Sequence, residues 1–191
     1  WARVVVLSGE GEHFCAGLDL SEVSERTVAE GLQHSRAWHA CFDAIQYGPA
    51  PVIAVLHGAV VGGGLELAAS AHLRVAEAST FYALPEGTRG IFVGGGGSVR
   101  ISRLVGVARM TDMMLTGRVF DADEGQAFGI GNYRVDDGAG LERALELAQQ
   151  SIGLSEPNPR VGCVITAPGR DTVATGFTQE LDLTAATARI R

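Results

Sequence analysis

The sequence predicts an α/β fold, and three observations carry that expectation. Apolar runs rich in β-branched residues, VVV at 4–6 and VIAVL at 52–56, read as strands buried on both faces. Turn chemistry or a glycine run follows, SGEG at 8–11 and GGG at 62–64. Segments of helical spacing or strong helix formers come next, so that strand, turn and helix alternate.

Taken in order, residues 3–7 form the first strand, which ends in the turn at 8–11. Over 25–47 the apolar positions Val28, Leu32, Trp38, Cys41, Phe42 and Ile45 recur at helical spacing, and Gly48 before Pro49 and Pro51 stops the helix. Residues 52–56 are the second strand, 62–64 the turn, and 65–70 a helix of good formers without β-branching. The pattern repeats with a short strand at 72–76, a loop carrying LPEG at 84–87, the glycines at 94–97 and a helix at 98–104. A helix at 108–115 is closed by Gly117, Asp121 or Asp123 caps the next segment, and 133–135 is a short strand.

At 191 residues the chain can bury a sizeable core. Its formal charge is −7, and all 15 basic residues are Arg, which leaves no basic patch for a run of phosphates, so nucleic acid is not an expected partner. The absence of Lys removes Schiff-base chemistry and any phosphate-loop lysine. Cys15, Cys41 and Cys163 are odd in number and far apart, which fits a reducing compartment, with no disulfide framework and no zinc site. No stretch reads as a membrane span or a secretory signal, and a cytoplasmic protein is expected.

The chemistry concentrates in HGAVVGGGLELAAS at 57–70, where the carboxylate of Glu66 lies one turn past three glycines in an apolar run. A strand turning sharply into a helix leaves N–H groups unpaired at the helix start, and glycine lets a ligand approach that backbone. Gly62, Gly63 and Gly64 fit either an oxyanion corner or a tight packed turn, and Glu66 fits either a group beside that corner or a solvated first-turn acid. Glu86, on a loop stiffened by Pro85, is a second candidate acid or a surface loop residue. His57, His72 and Cys15 read as packed or capped side chains, and the glycines at 94–97 lack the Lys-Ser/Thr of a phosphate loop and read as close packing.

The segments FCAGLDL, AVLHGAVVGGGLELAASAHLRVA, FYALPEGTRGIFVGGGGSVRISRLVG and MLTGRVFDADEGQAFGI, in this order, closely resemble the enoyl-CoA hydratase/isomerase, or crotonase, family over residues 2–138. The resemblance implies a spiral of ββα units that lacks the usual first elements and the usual C-terminal helices. It implies that the amides of Ala16 and Gly63 form an oxyanion hole for an acyl-CoA thioester, with Phe14, Gly17, Leu18, Gly62 and Pro85 as substrate-binding residues. Glu66 and Glu86 would be catalytic, with water held between them, Glu66 as base and Glu86 as donor to the α-carbon. The implied reaction is hydration of a trans-2-enoyl-CoA to a 3-hydroxyacyl-CoA. Isomerisation, or a non-catalytic scaffold that binds CoA esters, is the alternative. The implied cofactor is none beyond coenzyme A in the substrate, there is no metal, and a homotrimer or hexamer is the implied assembly. A proline usual in the family is replaced at Phe92 or Val93.

The chain divides on this reading into a core over 1–140 and an atypical segment over 141–191. Residues 141–179, with PNPRVGCVI, resemble the opening of the pyrimidine deaminases of riboflavin synthesis. The remaining ELDLTAATARIR contains neither the His-x-Glu nor the Pro-Cys-x-x-Cys that zinc deaminases need, so deaminase chemistry is not expected.

Overall fold

The computed structural model describes residues 3–19, 27–152, 162–165, 174–177 and 186–190. Strand β1 (Val5–Gly9) precedes helix α1 (Val28–Gln46), which Thr27 and Glu30 open as a reciprocal capping box. Next come β2 (Val52–Leu56), β3 (Ala59–Val61), α2 (Gly63–Ser70), β4 (Leu73–Glu77), β5 (Phe81–Ala83) and a 3-10 turn at Gly87–Arg89. Then follow α3 (Gly97–Val105), α4 (Val107–Thr116), β6 (Phe120–Asp121), α5 (Ala122–Phe128), β7 (Tyr133–Val135) and α6 (Gly140–Ile152). The last three strands are β8 (Gly162–Ile165), β9 (Ala174–Phe177) and β10 (Ala186–Ile190).

The main sheet runs β10-β1-β2-β4-β7, with every neighbouring pair parallel. Side chains alternate across a strand. In β2, Val52, Ala54 and Leu56 accordingly join one apolar cluster while Ile53 and Val55 join another, which is why the whole strand is apolar. The second cluster is closed by α6 through Ala144, Leu147 and Ala148. The 140/141 junction drawn from the sequence falls at the first turn of this helix. Most of the segment after 152, PNPR at 157–160 included, lies outside the described residues.

A smaller sheet, β3-β5-β6, supports the site. After β2 the chain passes His57 and Gly58, enters β3 and turns into α2; after β4 it enters β5 and reaches the 3-10 turn. These are two successive ββα units. Because β3 pairs in parallel with β5, with Val61 opposite Ala83, the residues following each strand emerge side by side, and the Gly62 amide donates to the Ala83 carbonyl at 2.9 Å. Register alone therefore brings the glycine turn and the Glu86 loop together.

α1 departs from the sequence expectation. Its apolar stripe is buried only at Phe42, while Val28 and Leu32 stand 91% and 51% exposed. The helix meets the body over its C-terminal half, where Ile45 packs on the main cluster and Trp38 meets Phe42 edge to face.

Candidate active site

Two bends meet at the site. At the first, Cys15 bridges to Val60, its N–H donating to the Ala59 carbonyl and its own carbonyl accepting from Val61, so FCAG is stitched along β3. At the second, Gly62 has φ +56° and ψ −122°, a backbone conformation that side chains resist, and turns the chain into α2. The first bonds inside the helix are donated by Leu65 and Glu66, both to the Gly62 carbonyl, so the amides of Gly63 and Gly64 come before the ladder begins. The bends touch. A Cβ on Gly17 would lie 3.2 Å from the Gly63 nitrogen, and one on Gly64 would overlap the Cys15 carbonyl.

A cleft of about 220 Å³ opens at this junction, lined by Ala16, Gly17 and Leu18 from the first bend, Val61, Gly62 and Gly63 from the second, and Pro85, Glu86, Arg89 and Ile91 from the loop after β5. Seven of the nine residues named in advance for the site line it or its rim: Ala16, Gly17, Leu18, Gly62, Gly63, Pro85 and Glu86. Phe14 and Glu66 do not. Phe14 is a core side chain, 8% exposed, with its amide donated to the His57 carbonyl. Glu66 stands behind the lining, 3% exposed, on α2.

The burial of Glu66 has a specific compensation. Its Oε1 accepts the amide of Gly95 at 2.8 Å and that of Gly97 at 2.7 Å. Gly96, at φ +93°, bends the loop so that both N–H groups face one oxygen. A carboxylate held by two backbone donors regains much of what it loses on leaving water. The glycines at 94–97, read from sequence as packing, therefore form a cradle for the acid.

Glu86 is 7% exposed, and its Oε2 is buried without a hydrogen-bond partner among the described residues. Such an acceptor is costly unless something else supplies a donor. Burial pushes the Glu66 carboxyl above the usual carboxylate range, against the pull of the Gly97 and Gly95 amides and of His39 and Arg100. Burial raises Glu86 as well; its own backbone amide and Arg89 work against that rise, and the charge of Glu66 adds to it. Two neighbouring acids, one of which raises the proton affinity of the other, can hold one proton between them at neutral pH.

Arg89 and Ile91 on the cleft were not singled out from sequence, and Gly95 and Gly97 behind it only as packing. Arg89, one turn past Glu86, was the only available signal for the first pair; contacts across about thirty positions gave none for the second. His72, expected as a packed residue, accepts the Val52 amide through Nδ1 at 3.0 Å. Among the described residues no group of three His, Cys, Asp or Glu side chains could hold a metal ion, and no helix is long and apolar enough to cross a membrane.

A family model described as enoyl-CoA hydratase/isomerase matches residues 1–186. The chain is 40% identical over 148 residues to the fatty acid oxidation complex subunit alpha of Shewanella loihica, a match covering 76% of this chain and 21% of the relative. A solved structure from Rhodopseudomonas palustris CGA009, described as a candidate enoyl-CoA hydratase, superposes with a TM-score of 0.76 at 63% identity, covering 78% of this chain and 58% of the other. The enoyl-CoA hydratase of Bacillus anthracis superposes with a TM-score of 0.73 at 35% identity, covering 78% and 58%. The chain thus spans about a fifth of the length of the curated relatives it matches.

Proposed function

Since the chain belongs to the enoyl-CoA hydratase/isomerase family, we propose that it adds water across the double bond of a trans-2-enoyl-CoA to give a 3-hydroxyacyl-CoA. The observation that carries this reading is the Oε2 of Glu86, without a hydrogen-bond partner among the described residues, in a carboxylate that lines the cleft between the Ala16 and Gly63 bends. A buried carboxyl oxygen with no protein partner of its own suits a group that exchanges a proton with the substrate.

In the proposed reaction the amides of Ala16 and Gly63 hold the thioester oxygen. As the water oxygen bonds to the β-carbon, the π electrons move onto that oxygen as an enolate; one such donor is worth roughly 3 kcal/mol of barrier. Glu66 takes the proton that the water loses, and Glu86, entering protonated, gives its proton to the α-carbon. The enolate collapses to the thioester, and transfer of the proton from Glu66 back to Glu86 resets the pair. Phe14, Gly17, Leu18, Gly62 and Pro85 are proposed to shape the binding site, Phe14 from beneath it. The same reading carries a coenzyme A thioester as substrate with no further cofactor, a trimeric or hexameric assembly, a core over 1–140 followed by the distinct segment 141–191, and action in the cytoplasm.

One observation favours the alternative of double-bond migration: of the two acids, only Glu86 lines the cleft. A single carboxylate can remove the α-proton of a 3-enoyl-CoA and return it to the γ-carbon. The test is direct. Purified full chain is mixed with a trans-2-enoyl-CoA and its conjugated ultraviolet absorbance is followed. Its loss, with 3-hydroxyacyl-CoA as product, supports hydration. Gain of that absorbance from a 3-enoyl-CoA, without loss from the 2-enoyl-CoA, establishes the isomerase instead. Neither change, from folded protein, leaves a scaffold that binds CoA esters, which calorimetry reads.

A further inference from the structure

Behind the cradle of Glu66 lies a buried guanidinium that the proposed reaction does not use. Arg100, on α3, is 8% exposed, and each of its three nitrogens donates a hydrogen bond. Its Nη1 donates to the Gly95 carbonyl at 2.8 Å, its Nε to Gln46 Oε1 at 2.6 Å, and its Nη2 to Asp43 Oδ1. Gln46 and Asp43 belong to the last turns of α1, so the arginine ties the glycine loop to that helix. The same peptide segment is gripped from both sides: the Gly95 carbonyl accepts from Arg100 while the Gly95 amide donates to Glu66. One more hydrogen bond from α1 holds the loop, and a second α1 side chain lies close against it. Ser35 Oγ donates to the Gly94 carbonyl at 3.2 Å, and a Cβ on Gly96 would stand 3.2 Å from His39 Cε1.

We infer that Arg100 is a positioning residue that fixes the Glu66 carboxylate through the glycine loop, with Asp43 and Gln46 of α1 as its anchor. The inference rests on the proposed role of Glu66 as base. A buried arginine is expensive to desolvate, and a planar guanidinium that aims its donors at three separate acceptors in fixed directions holds them more rigidly than a lysine would. The loop it holds contains four consecutive glycines, the backbone least able to hold its own shape. Without the clamp the two amides lose their common aim at Oε1, and a small misplacement of a base is costly in rate. The groups facing Glu66 are His39 from α1, Arg100 from α3 and Glu86 from the loop after β5, so removing Arg100 leaves the carboxylate with one cation fewer.

The test is hydration of a trans-2-enoyl-CoA by the full chain and its variants. Arg100→Gln should lower kcat by roughly 10- to 100-fold with KM changed by less than about threefold, and Arg100→Lys should recover only part of the loss. The acid limb of the kcat/KM profile should move upward in Arg100→Gln. In the Glu66→Gln background, Arg100→Gln should cost less than about threefold more, because both changes act on the same group. Losses that multiply, or an unchanged kcat in Arg100→Gln, overturn the inference. Asp43→Asn weakens the clamp from its exposed end, should show the same signature in smaller degree, and decides the matter if Arg100→Gln does not fold. A wild type that hydrates no 2-enoyl-CoA defeats the proposed function alone. The clamp is then read from the 13C-detected titration of Glu66, identified by its absence in Glu66→Gln: an upward move in Arg100→Gln supports the coupling, and no move overturns it.

Discussion

The Gly97 amide reaches Glu66 Oε1 at 2.7 Å, and a Cβ built on Gly97 would stand at that same 2.7 Å from the same oxygen. The position is therefore fitted to one acceptor with no room for a methyl group beside it. Gly97→Ala should displace the carboxylate while leaving the first turn of α3 intact, since Ala is the better helix former. We expect kcat for 2-enoyl-CoA hydration to fall by roughly 100-fold with KM little changed. Steady-state kinetics together with an unaltered helical circular dichroism signal checks this; an unchanged kcat would show that the cradle does not matter to turnover.

Replacing the two acids should separate their roles. Glu66→Gln keeps an oxygen able to accept from Gly95 and Gly97, so the cradle survives while the base is lost. Glu86→Gln removes the proton donor on the cleft at an oxygen, Oε2, that has no hydrogen-bond partner among the described residues. Each should reduce kcat by ~10²–10⁴-fold, and the double variant should lose much less than the product of the two, because paired acids act as a unit. If Glu66→Gln hydrates at the wild-type rate while Glu86→Gln does not, the hydration runs on one carboxylate, and the role of Glu66 as base is overturned.

The parts of this arrangement legible in the sequence are those carried by local pattern. VIAVL at 52–56 and YRV at 133–135 are strands at the expected residues, and Gly117 closes α4 in the left-handed conformation, φ +73°. The resemblance to a family pattern is what picks out Glu66 and Glu86 in the sequence. The strands that bring them together, β3 and β5, are three residues each and too short for periodicity to announce. Their register sets Gly62 against the Glu86 loop, and register is a long-range property. The Glu66 cradle spans 29 and 31 positions of sequence, and nothing in a glycine run says which oxygen its amides will serve. Val28 and Leu32 show the converse error, a helical stripe that periodicity assigns to a core and that solvent receives.

Tyr82 offers a prediction away from the cleft. Its ring is fully buried against Gly125, and its hydroxyl has no hydrogen-bond partner among the described residues. Burial pushes the phenol far above its ordinary value, with only the nearby Arg74 working against it, so the group stays neutral. An unsatisfied buried hydroxyl costs about 1–3 kcal/mol, and phenylalanine of the same shape carries no such cost. Tyr82→Phe should therefore unfold at the wild-type temperature or about 2–4 °C above it, with hydration kinetics unchanged. A loss of several degrees in calorimetry would reveal a partner for the hydroxyl.

The pH dependence of stability tests the same electrostatics at Glu86. Its carboxyl is buried and raised above its ordinary value, which means the folded chain binds that proton more tightly than the unfolded chain does. Stability must then fall as pH rises from the ordinary carboxylate range through the raised value, because ionisation is easier once the chain unfolds. Above the ordinary carboxylate range the wild type carries the cost of burying this acid, whose Oε2 has no hydrogen-bond partner among the described residues. Glu86→Gln removes the titration and leaves a neutral group of the same size. Its unfolding temperature at pH 7 should exceed that of wild type by about 2–4 °C, and the gap should close as the pH is lowered below the ordinary carboxylate range, where the wild-type acid is protonated in both states. Glu66→Gln should follow the same sign with a smaller gap, since two amides already compensate its charge. A gap for Glu86→Gln that does not change with pH would mean that packing, rather than ionisation, separates the variant from the wild type, and would remove the case for a shared proton between the two acids.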